Sequence, residues 1–161
     1  MLLRMLVVSF VLVSLCVVIH IVGLVLLAHR LMRVRPTAET EFGIRRNSML
    51  LISVFVIIVL LHLLEVLVWA GYYDLWSLFS DLETSWYFSL GSYTTIGYGD
   101  VVLPARWRTL GGLEGITGVL LCGLSTAFLF AVVNQMFASR VRQISARSGG
   151  DVSNTAGRKT N

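Results

Sequence analysis

The chain has 161 residues, of which 56% are hydrophobic and only 14% are charged, and its mean hydropathy is +0.79. Soluble globular domains carry about 25% charged residues, so this composition disfavours both a soluble domain and a disordered chain. Cys16 and Cys122 lie within apolar runs and leave neither a disulfide framework nor a cysteine-rich metal site. The formal net charge is +4, but the basic residues flank apolar segments instead of forming the basic face of a nucleic-acid-binding protein. The sequence predicts a single-domain integral membrane protein.

Three apolar stretches are long enough to cross a bilayer as helices, which takes roughly 20 residues. The first runs from Met5 to Ala28, the second from Met49 to Ala70, and the third from about Thr109 to Ala138. A cleaved signal peptide is the alternative for the first stretch, but this stretch is longer than a typical signal and lacks a convincing cleavage site. We therefore predict an uncleaved N-terminal transmembrane helix within residues 1–29.

The placement of the basic residues predicts the orientation in the membrane. Of the thirteen lysines and arginines, five lie in the loop 30–48 and five in the tail 139–161. Cytoplasmic loops carry such an excess, so the loop and the tail are predicted to be cytoplasmic, while the N-terminus and the segment 71–108 lie outside. The tail is rich in serine, glycine and arginine without apolar periodicity, which predicts disorder.

The segment between the second and third stretches is too polar to cross the bilayer and too apolar for an ordinary loop. Residues 81–93 predict a short helix, because Ser80 or Asp81 can cap its N-terminus and Glu83 adds a favourable charge in the first turn. The C-terminal end of such a helix carries about half a negative elementary charge, which favours a nearby cation.

A glycine-containing run follows this helix directly, namely Thr94-Thr95-Ile96-Gly97-Tyr98-Gly99-Asp100. The run resembles the selectivity-filter signature of potassium channels, T-[TV]-[VI]-G-Y-G-D. The resemblance covers residues 49–138, in the order outer helix 49–70, pore helix 81–93, filter 94–100 and inner helix 109–138. A glycine turn or a phosphate-binding loop is the alternative, but irregular backbone at membrane depth is tolerated only inside protein or along a water-filled path.

The chemistry of ion selection explains why such residues are needed. A potassium ion gives up its hydration shell only where oxygens at similar spacing replace the water, and backbone carbonyls can do so. Gly97 and Gly99 permit the alternating backbone that aims successive carbonyls at one axis, because they have no Cβ atom. The resemblance implies that the ion is coordinated by the carbonyls of Thr95, Ile96, Gly97 and Tyr98, with the Thr95 hydroxyl at the innermost site.

The resemblance also implies residues that support the filter. Tyr98 would pack against neighbouring aromatic residues, and Asp100 would lie at the outer mouth. Three aromatic residues of the pore helix could form a cuff around the filter or an interfacial belt. The implied supporting residues are Thr94, Gly99, Asp100, Trp86, Tyr87 and Phe88. The chain departs from some members of the family at Gly91, where those members place a carboxylate behind the filter.

Two carboxylates lie within the apolar stretches, which is costly and indicates a function by default. Glu65 and Glu114 are each predicted to lie roughly 8–10 Å deep on the outer side, at the level of the pore helix. One hypothesis is that one of them hydrogen-bonds the filter support and tunes inactivation. The alternative is a structural pair with Arg106, Arg108 or His62.

The third stretch is rich in glycine. Gly111 and Gly115 form a small-xxx-small pair that lets helices approach closely, and Gly118 and Gly123 are candidate gating hinges. None of the three stretches has basic residues repeated at three-residue spacing, so a voltage sensor of the family type is not predicted.

The sequence thus predicts an all-α membrane protein with three transmembrane helices, a re-entrant pore helix and a filter loop. One filter segment cannot surround an ion, so the resemblance implies a homotetramer in the lipid bilayer of the plasma (cell inner) membrane. The expected function is passive, potassium-selective permeation, with K⁺ as permeating ion and no cofactor, nucleic-acid partner or enzymatic activity. The alternatives are a less selective cation channel and a non-conducting modulatory or sensor subunit.

Overall fold

The computed structural model of the chain describes residues 2–33 and 40–157, and within these residues the regular structure is entirely helical. A short 3-10 turn, Ala105–Trp107, leads into the last helix. The α-helices in chain order are α1 (Leu2–Arg33), α2 (Thr40–Leu75), α3 (Leu82–Tyr93) and α4 (Arg108–Gly157).

Three of these helices contain segments that are long and apolar enough to cross a membrane. The segments are Leu3–Arg33 in α1, Asn47–Leu75 in α2, and Ala105–Ala138 in the 3-10 turn and α4. The prediction of an all-α membrane protein with three membrane-length helices is confirmed.

The two longest helices extend beyond the predicted bounds. Helix α2 begins at Thr40, within the predicted loop 30–48, and α4 continues to Gly157, where the sequence predicts a disordered tail over 139–161. A helix that has already formed gains one hydrogen bond for each residue it adds, and neither extension contains a proline to stop it. The last four residues of the tail, and residues 34–39 of the loop, lie outside the described residues.

Helix α1 packs along the body of the protein, against both α2 and α4. One buried apolar cluster joins Leu24 and Leu27 of α1 to Val54 and Ile58 of α2. Between α1 and α2 the Leu61 side chain packs against Gly23, where an added Cβ atom would lie 2.5 Å from it. The extra N-terminal helix is therefore an integrated part of this fold.

A second buried cluster surrounds the short helix α3. Its fully buried large side chains include Trp69 and Tyr73 of α2 and Leu110 of α4. Helix α3 itself contributes Tyr93 to this cluster, and its buried face carries Ser85 and Ser89. Small side chains on this face let α3 approach α2 closely, and the Ser89 hydroxyl lies 2.9 Å from the carbonyl oxygen of Val66.

The N-terminus of α3 is capped as the sequence predicts. Asp81 has an extended backbone, and its Oδ1 accepts a hydrogen bond of 2.7 Å from the Thr84 backbone N–H. The Ser80 hydroxyl donates to the other carboxylate oxygen. These hydrogen bonds, the one from Ser80 first, lower the pKa of the exposed Asp81 carboxyl, which keeps the cap ionised.

Candidate functional site

The segment after α3 has a backbone that alternates in handedness. Thr95, Gly97 and Gly99 have positive φ angles of 61°, 55° and 79°. Ile96 and Tyr98, between them, are not among the described residues with positive φ. A left-handed conformation costs Thr95 about 1–3 kcal/mol, because its Cβ atom crowds the backbone there. The two glycines adopt it without that cost. Such alternation is what a filter lined by successive carbonyls requires.

Backbone hydrogen bonds tie this segment to the C-terminal turn of α3. The N–H of Thr95 donates to the carbonyl of Ser92 at 3.0 Å, and the N–H of Gly97 donates to the carbonyl of Gly91 at 3.1 Å. The Thr94 hydroxyl donates to the carbonyl of Leu90 at 2.7 Å. The carbonyls at a helix end lack intrahelical partners, so the segment satisfies them and is held in place by them.

An aromatic and an acidic side chain brace the outer half of the segment. The rings of Tyr87 and Tyr98 stack with centroids 6.2 Å apart and an interplanar angle of 11°. The Tyr87 hydroxyl donates a hydrogen bond of 2.7 Å to Asp100 Oδ2. This hydrogen bond lowers the pKa of the Asp100 carboxyl and raises the pKa of the Tyr87 hydroxyl. The structure thus brings two of the implied supporting residues, Tyr87 and Asp100, together beside Tyr98.

The other two aromatic residues of the implied cuff point elsewhere within the chain. Phe88 packs edge-on against Tyr73 at 5.5 Å and lies 5.0 Å from the ring of Phe79. Trp86 packs against the buried cluster around α3. In a single chain, these two residues hold α3 on the helices behind it, and Tyr87 faces the filter segment.

Glu114 is buried behind α3 and joins three helices. Its Oε2 accepts a hydrogen bond of 2.8 Å from the Tyr73 hydroxyl of α2, and its Oε1 lies next to the Ser89 hydroxyl of α3. Glu114 belongs to α4 and contacts Ser89 of α3. Gly91 lies two residues after Ser89, so it is on nearly the opposite face of α3. Glu114 therefore places a carboxylate against the buried side of the helix that leads into the filter segment.

The two arginines considered as partners of the buried acids make other contacts in the described structure. Arg106 lies over the Trp107 ring at 6.0 Å, and Arg108 Nε donates to the carbonyl of Leu103 at 3.3 Å. Of the hypothesised pairs, the structure contains the one between Glu65 and His62, with Oε2 and Nδ1 3.3 Å apart.

Glu65 belongs to a buried polar cluster that sequence reasoning recovered only in part. We call it the His–Glu cluster, and its members are His20, His62, Glu65, Tyr93 and Ser125. His20 Nδ1 lies 2.7 Å from Glu65 Oε1, and the Tyr93 hydroxyl donates to Glu65 Oε2. Tyr93 is the last residue of α3 and directly precedes Thr94. Glu65 thus contacts a histidine and the last residue of α3. The structural pair with His62 is present, and a role of Glu65 in tuning inactivation stays a hypothesis.

Four contributors to these networks were not singled out from the sequence. His20 carried a signal, since an ionisable residue inside an apolar stretch indicates a functional or paired role. The hydroxyl-bearing residues carried none, because their partners are distant in the chain. These residues are His20, Tyr73, Ser89 and Ser125.

Glycines of α4 lie directly under the end of α3. A Cβ atom at Gly115 would be 3.1 Å from the carbonyl oxygen of Ser92, and one at Gly118 would be 2.0 Å from that of Tyr93. Gly118 therefore has a packing role, since no larger residue fits without a shift of the backbone. A Cβ atom at Gly123 would meet nothing within 4 Å. Packing within the single chain therefore does not require glycine at this candidate hinge.

Comparison with known protein families assigns the chain to one of them. Residues 49–135 match the family model Ion_trans_2, described as ion channel, which spans more than half of the chain. The chain belongs to this ion channel family. The match covers the apolar part of α2, all of α3, the filter segment and most of the apolar part of α4, and it leaves α1 outside. No curated protein and no solved structure matches the chain.

The filter segment of this ion channel is open to one side of the single chain. Ile96 is 57% exposed and Tyr98 69% exposed. A groove of about 490 Å³ lies between the segment and α4, and its walls include Thr95, Gly97 and Gly115.

Proposed function

We propose that the channel is selective for potassium ions, which pass through a pore formed by four copies of the chain. The observation that carries the proposal is the left-handed backbone at Thr95, Gly97 and Gly99 within the run T-T-I-G-Y-G-D. Backbone carbonyls along such a segment can replace the hydration shell of the ion. We assign coordination to the carbonyls of Thr95, Ile96, Gly97 and Tyr98, with the Thr95 hydroxyl at the innermost position.

The exposure of the filter segment supports a closed tetramer. One segment cannot surround an ion, and the sequence contains a single copy of the signature, so closed fourfold symmetry would supply the other three. The exposed side chains of Ile96 and Tyr98 and the groove beside Gly97 offer the surface that a neighbouring copy would cover.

The proposed arrangement in the membrane follows from charge. The N-terminus lies outside the plasma (cell inner) membrane and the C-terminal tail lies in the cytoplasm, because the arginine-rich segments belong on the cytoplasmic side. Helix α3 enters from the outside and turns back, and the negative end of its dipole favours a cation below the filter. Permeation is passive and requires no cofactor and no covalent chemistry.

Ion flux from liposomes tests this function. We expect purified wild-type protein to carry potassium across the bilayer, with a reversal potential that follows the potassium gradient and not the sodium gradient. Gly97→Ala should abolish selective flux, because the added Cβ atom opposes the left-handed backbone. Gly71→Ala is the matched control, since Gly71 lies on α2 outside the groove beside Gly97 and a Cβ atom there would meet nothing within 4 Å.

Two outcomes of the flux experiment would contradict the proposal. Equal permeation of sodium and potassium would establish the less selective cation channel. Well-folded tetramers without any flux would establish the modulatory or sensor subunit.

A further inference from the structure

The His–Glu cluster brings three metal-ligating side chains together away from the filter. His20 comes from α1, whereas His62 and Glu65 lie one turn apart on α2. Their ligand atoms all lie within 4.8 Å of one another. His20 and Glu65 are fully buried, and the His62 side chain keeps 16% of its surface exposed.

The His–Glu cluster has more polar contacts than hydrogen atoms that its side chains can donate. Five polar contacts each need one hydrogen. They are His20–Glu65, His20–Ser125, His62–Ser125, His62–Tyr93 and Tyr93–Glu65. Two neutral imidazoles, one serine hydroxyl and one tyrosine hydroxyl supply about four, and an ionised carboxylate supplies none. Whichever tautomers are chosen, at least one contact lacks a hydrogen, so the cluster can accept one more cation.

The geometry shows where that cation fits. Ser125 Oγ lies 2.9 Å from Nε2 of His20 and 3.0 Å from Nε2 of His62, so it can accept an N–H from each ring. Nδ1 of His20 then faces Glu65 Oε1 at 2.7 Å, and Nδ1 of His62 lies 2.8 Å from the Tyr93 hydroxyl and 3.3 Å from Glu65 Oε2. Ligands about 2.0–2.1 Å from a tetrahedral metal are separated by roughly 3.3 Å, so small side-chain shifts suffice.

The surrounding residues resemble the outer shell of a metal site. Metal-bound imidazoles are oriented through their other ring nitrogen, and here Ser125 can hold both rings in this way. The Tyr93 hydroxyl likewise fixes the carboxylate of Glu65. Buried charges in proteins are paired or coordinate metals, and a divalent ion would offset the charge of Glu65.

We propose that His20, His62 and Glu65 bind one divalent transition-metal ion of the Zn²⁺ class in each chain. Two imidazoles and one carboxylate form a ligand set that Zn²⁺ accepts, with a position left for a fourth ligand. Because His20 belongs to α1, the ion joins the N-terminal helix to the pore-forming helices. The proposal stands apart from ion conduction, since it concerns residues that line no part of the filter segment.

Metal titration of the full-length protein in detergent, after treatment with a chelator, tests the site. We expect calorimetry to detect one Zn²⁺ per chain. His20→Gln and His62→Gln should each weaken binding by about 100-fold or more, and Ser125→Ala by about 10-fold, the range known for outer-shell residues. His29→Gln is the matched control and should leave binding unchanged, because His29 is exposed on the same helix as His20.

Co²⁺ as a spectroscopic probe separates the proposed ligands from the thiols of Cys16 in α1 and Cys122 in α4. We expect tetrahedral d–d absorption without thiolate charge transfer in the wild type. His62→Cys should keep the metal and gain the thiolate band. This variant also guards against misfolding, because it restores a ligand where His62→Gln removes one.

Three results would overturn the proposal. One is equal Zn²⁺ affinity in wild type, His20→Gln and His62→Gln; another is a thiolate band in wild-type Co²⁺ spectra. The third is uptake of a proton by the cluster, seen in histidine NMR signals, with no Zn²⁺ binding at any pH at which the protein is folded. Since metal binding is measured without flux, failure of this site and failure of potassium conduction remain distinguishable.

Discussion

Thr95 is the residue at which chemistry and backbone strain coincide. It holds a φ angle of 61° although it carries a β-branched side chain, and its N–H is fixed to Ser92 at 3.0 Å. Strain of this kind persists only where the surroundings enforce it, and it is concentrated at functional sites. The proposed role of the Thr95 hydroxyl as an ion ligand gives a reason to keep threonine at a position where glycine would be relaxed.

The hydrogen bond between Tyr87 and Asp100 predicts a dependence on external pH. The bond lowers the pKa of Asp100, so its stabilisation is fully present above the ordinary value of 3.8 and is lost as the pH falls through the lowered one. Tyr87→Phe should raise the pKa of Asp100 toward 3.8, so inhibition by external acid begins at a higher pH. Potassium flux against external pH measures the difference, and superimposed curves would contradict it.

Gly118 predicts a large loss of stability on substitution. A methyl group there would meet the carbonyl oxygen of Tyr93 at 2.0 Å, and overpacking of this kind typically costs about 1–3 kcal/mol or more. We expect Gly118→Ala to unfold at markedly lower temperature or denaturant concentration. Gly23→Ala should cost less, because its clash at 2.5 Å is with the flexible end of Leu61. Equal stability of the two variants would refute this ranking.

At the level of the elements, two buried acidic residues contact α3 at successive turns of its buried face. Glu114 contacts Ser89 in its middle, and Glu65 contacts Tyr93 at its end. The sequence places glycine at position 91, and the carboxyl groups that contact the buried face of α3 come from α2 and α4. The orientation of α3 therefore depends on helices that lie behind the filter.

Replacing the carboxyl of Glu114 with an amide tests this support. Glu114→Gln keeps the shape but exchanges one of the oxygens that face the Tyr73 and Ser89 hydroxyls for an NH₂ group, which cannot accept a hydrogen bond. A buried polar group left without its partner typically costs about 1–3 kcal/mol. We expect a lower open probability with unchanged preference for potassium over sodium. Glu83→Gln, at an exposed position of α3, is the control. Single-channel recordings that show no difference between Glu114→Gln and wild type would exclude a tuning role for Glu114.

The sequence predicts some of these elements well and others poorly, for physical reasons. The cap at Asp81 and the conformational freedom of Gly97 and Gly99 are local properties, and the structure contains them where expected. The ends of α2 and α4 were missed, because helix propagation does not depend on the apolar pattern. The His–Glu cluster was mostly missed, because His20 and Ser125 are 105 residues apart and only packing brings them together.

On the scale of the whole molecule, charge and topology predict that the two ends of α2 lie on opposite sides of the membrane. Ser48 and Asp74 are both exposed on this helix, near its two ends. We expect a membrane-impermeant thiol reagent to label Asp74→Cys from the outside of intact cells and Ser48→Cys only after the membrane is opened. The opposite pattern would reverse the assigned orientation, and external labelling of both would contradict three membrane-crossing helices.

The assembly proposed for the whole molecule is tested by native mass spectrometry of the purified protein. We expect a mass corresponding to four chains of 17.9 kDa. Closed symmetry also predicts that Ile96 and Tyr98, exposed in one chain, become protected in the complex. A complex of two chains would contradict the proposed pore, because the sequence contains one filter signature.

Tyr93 connects three parts of the fold. Its hydroxyl reaches the cluster that includes α1, its carbonyl lies against α4, and the next residue opens the filter segment. In the proposed assembly, the four copies of Tyr93 would form a ring below the ions and connect the filter to the helices around it. Substitutions in α1 would then alter conduction, although α1 lies far from any permeating ion. Genetic screens for altered conduction should therefore find substitutions in the N-terminal helix as well as in the filter.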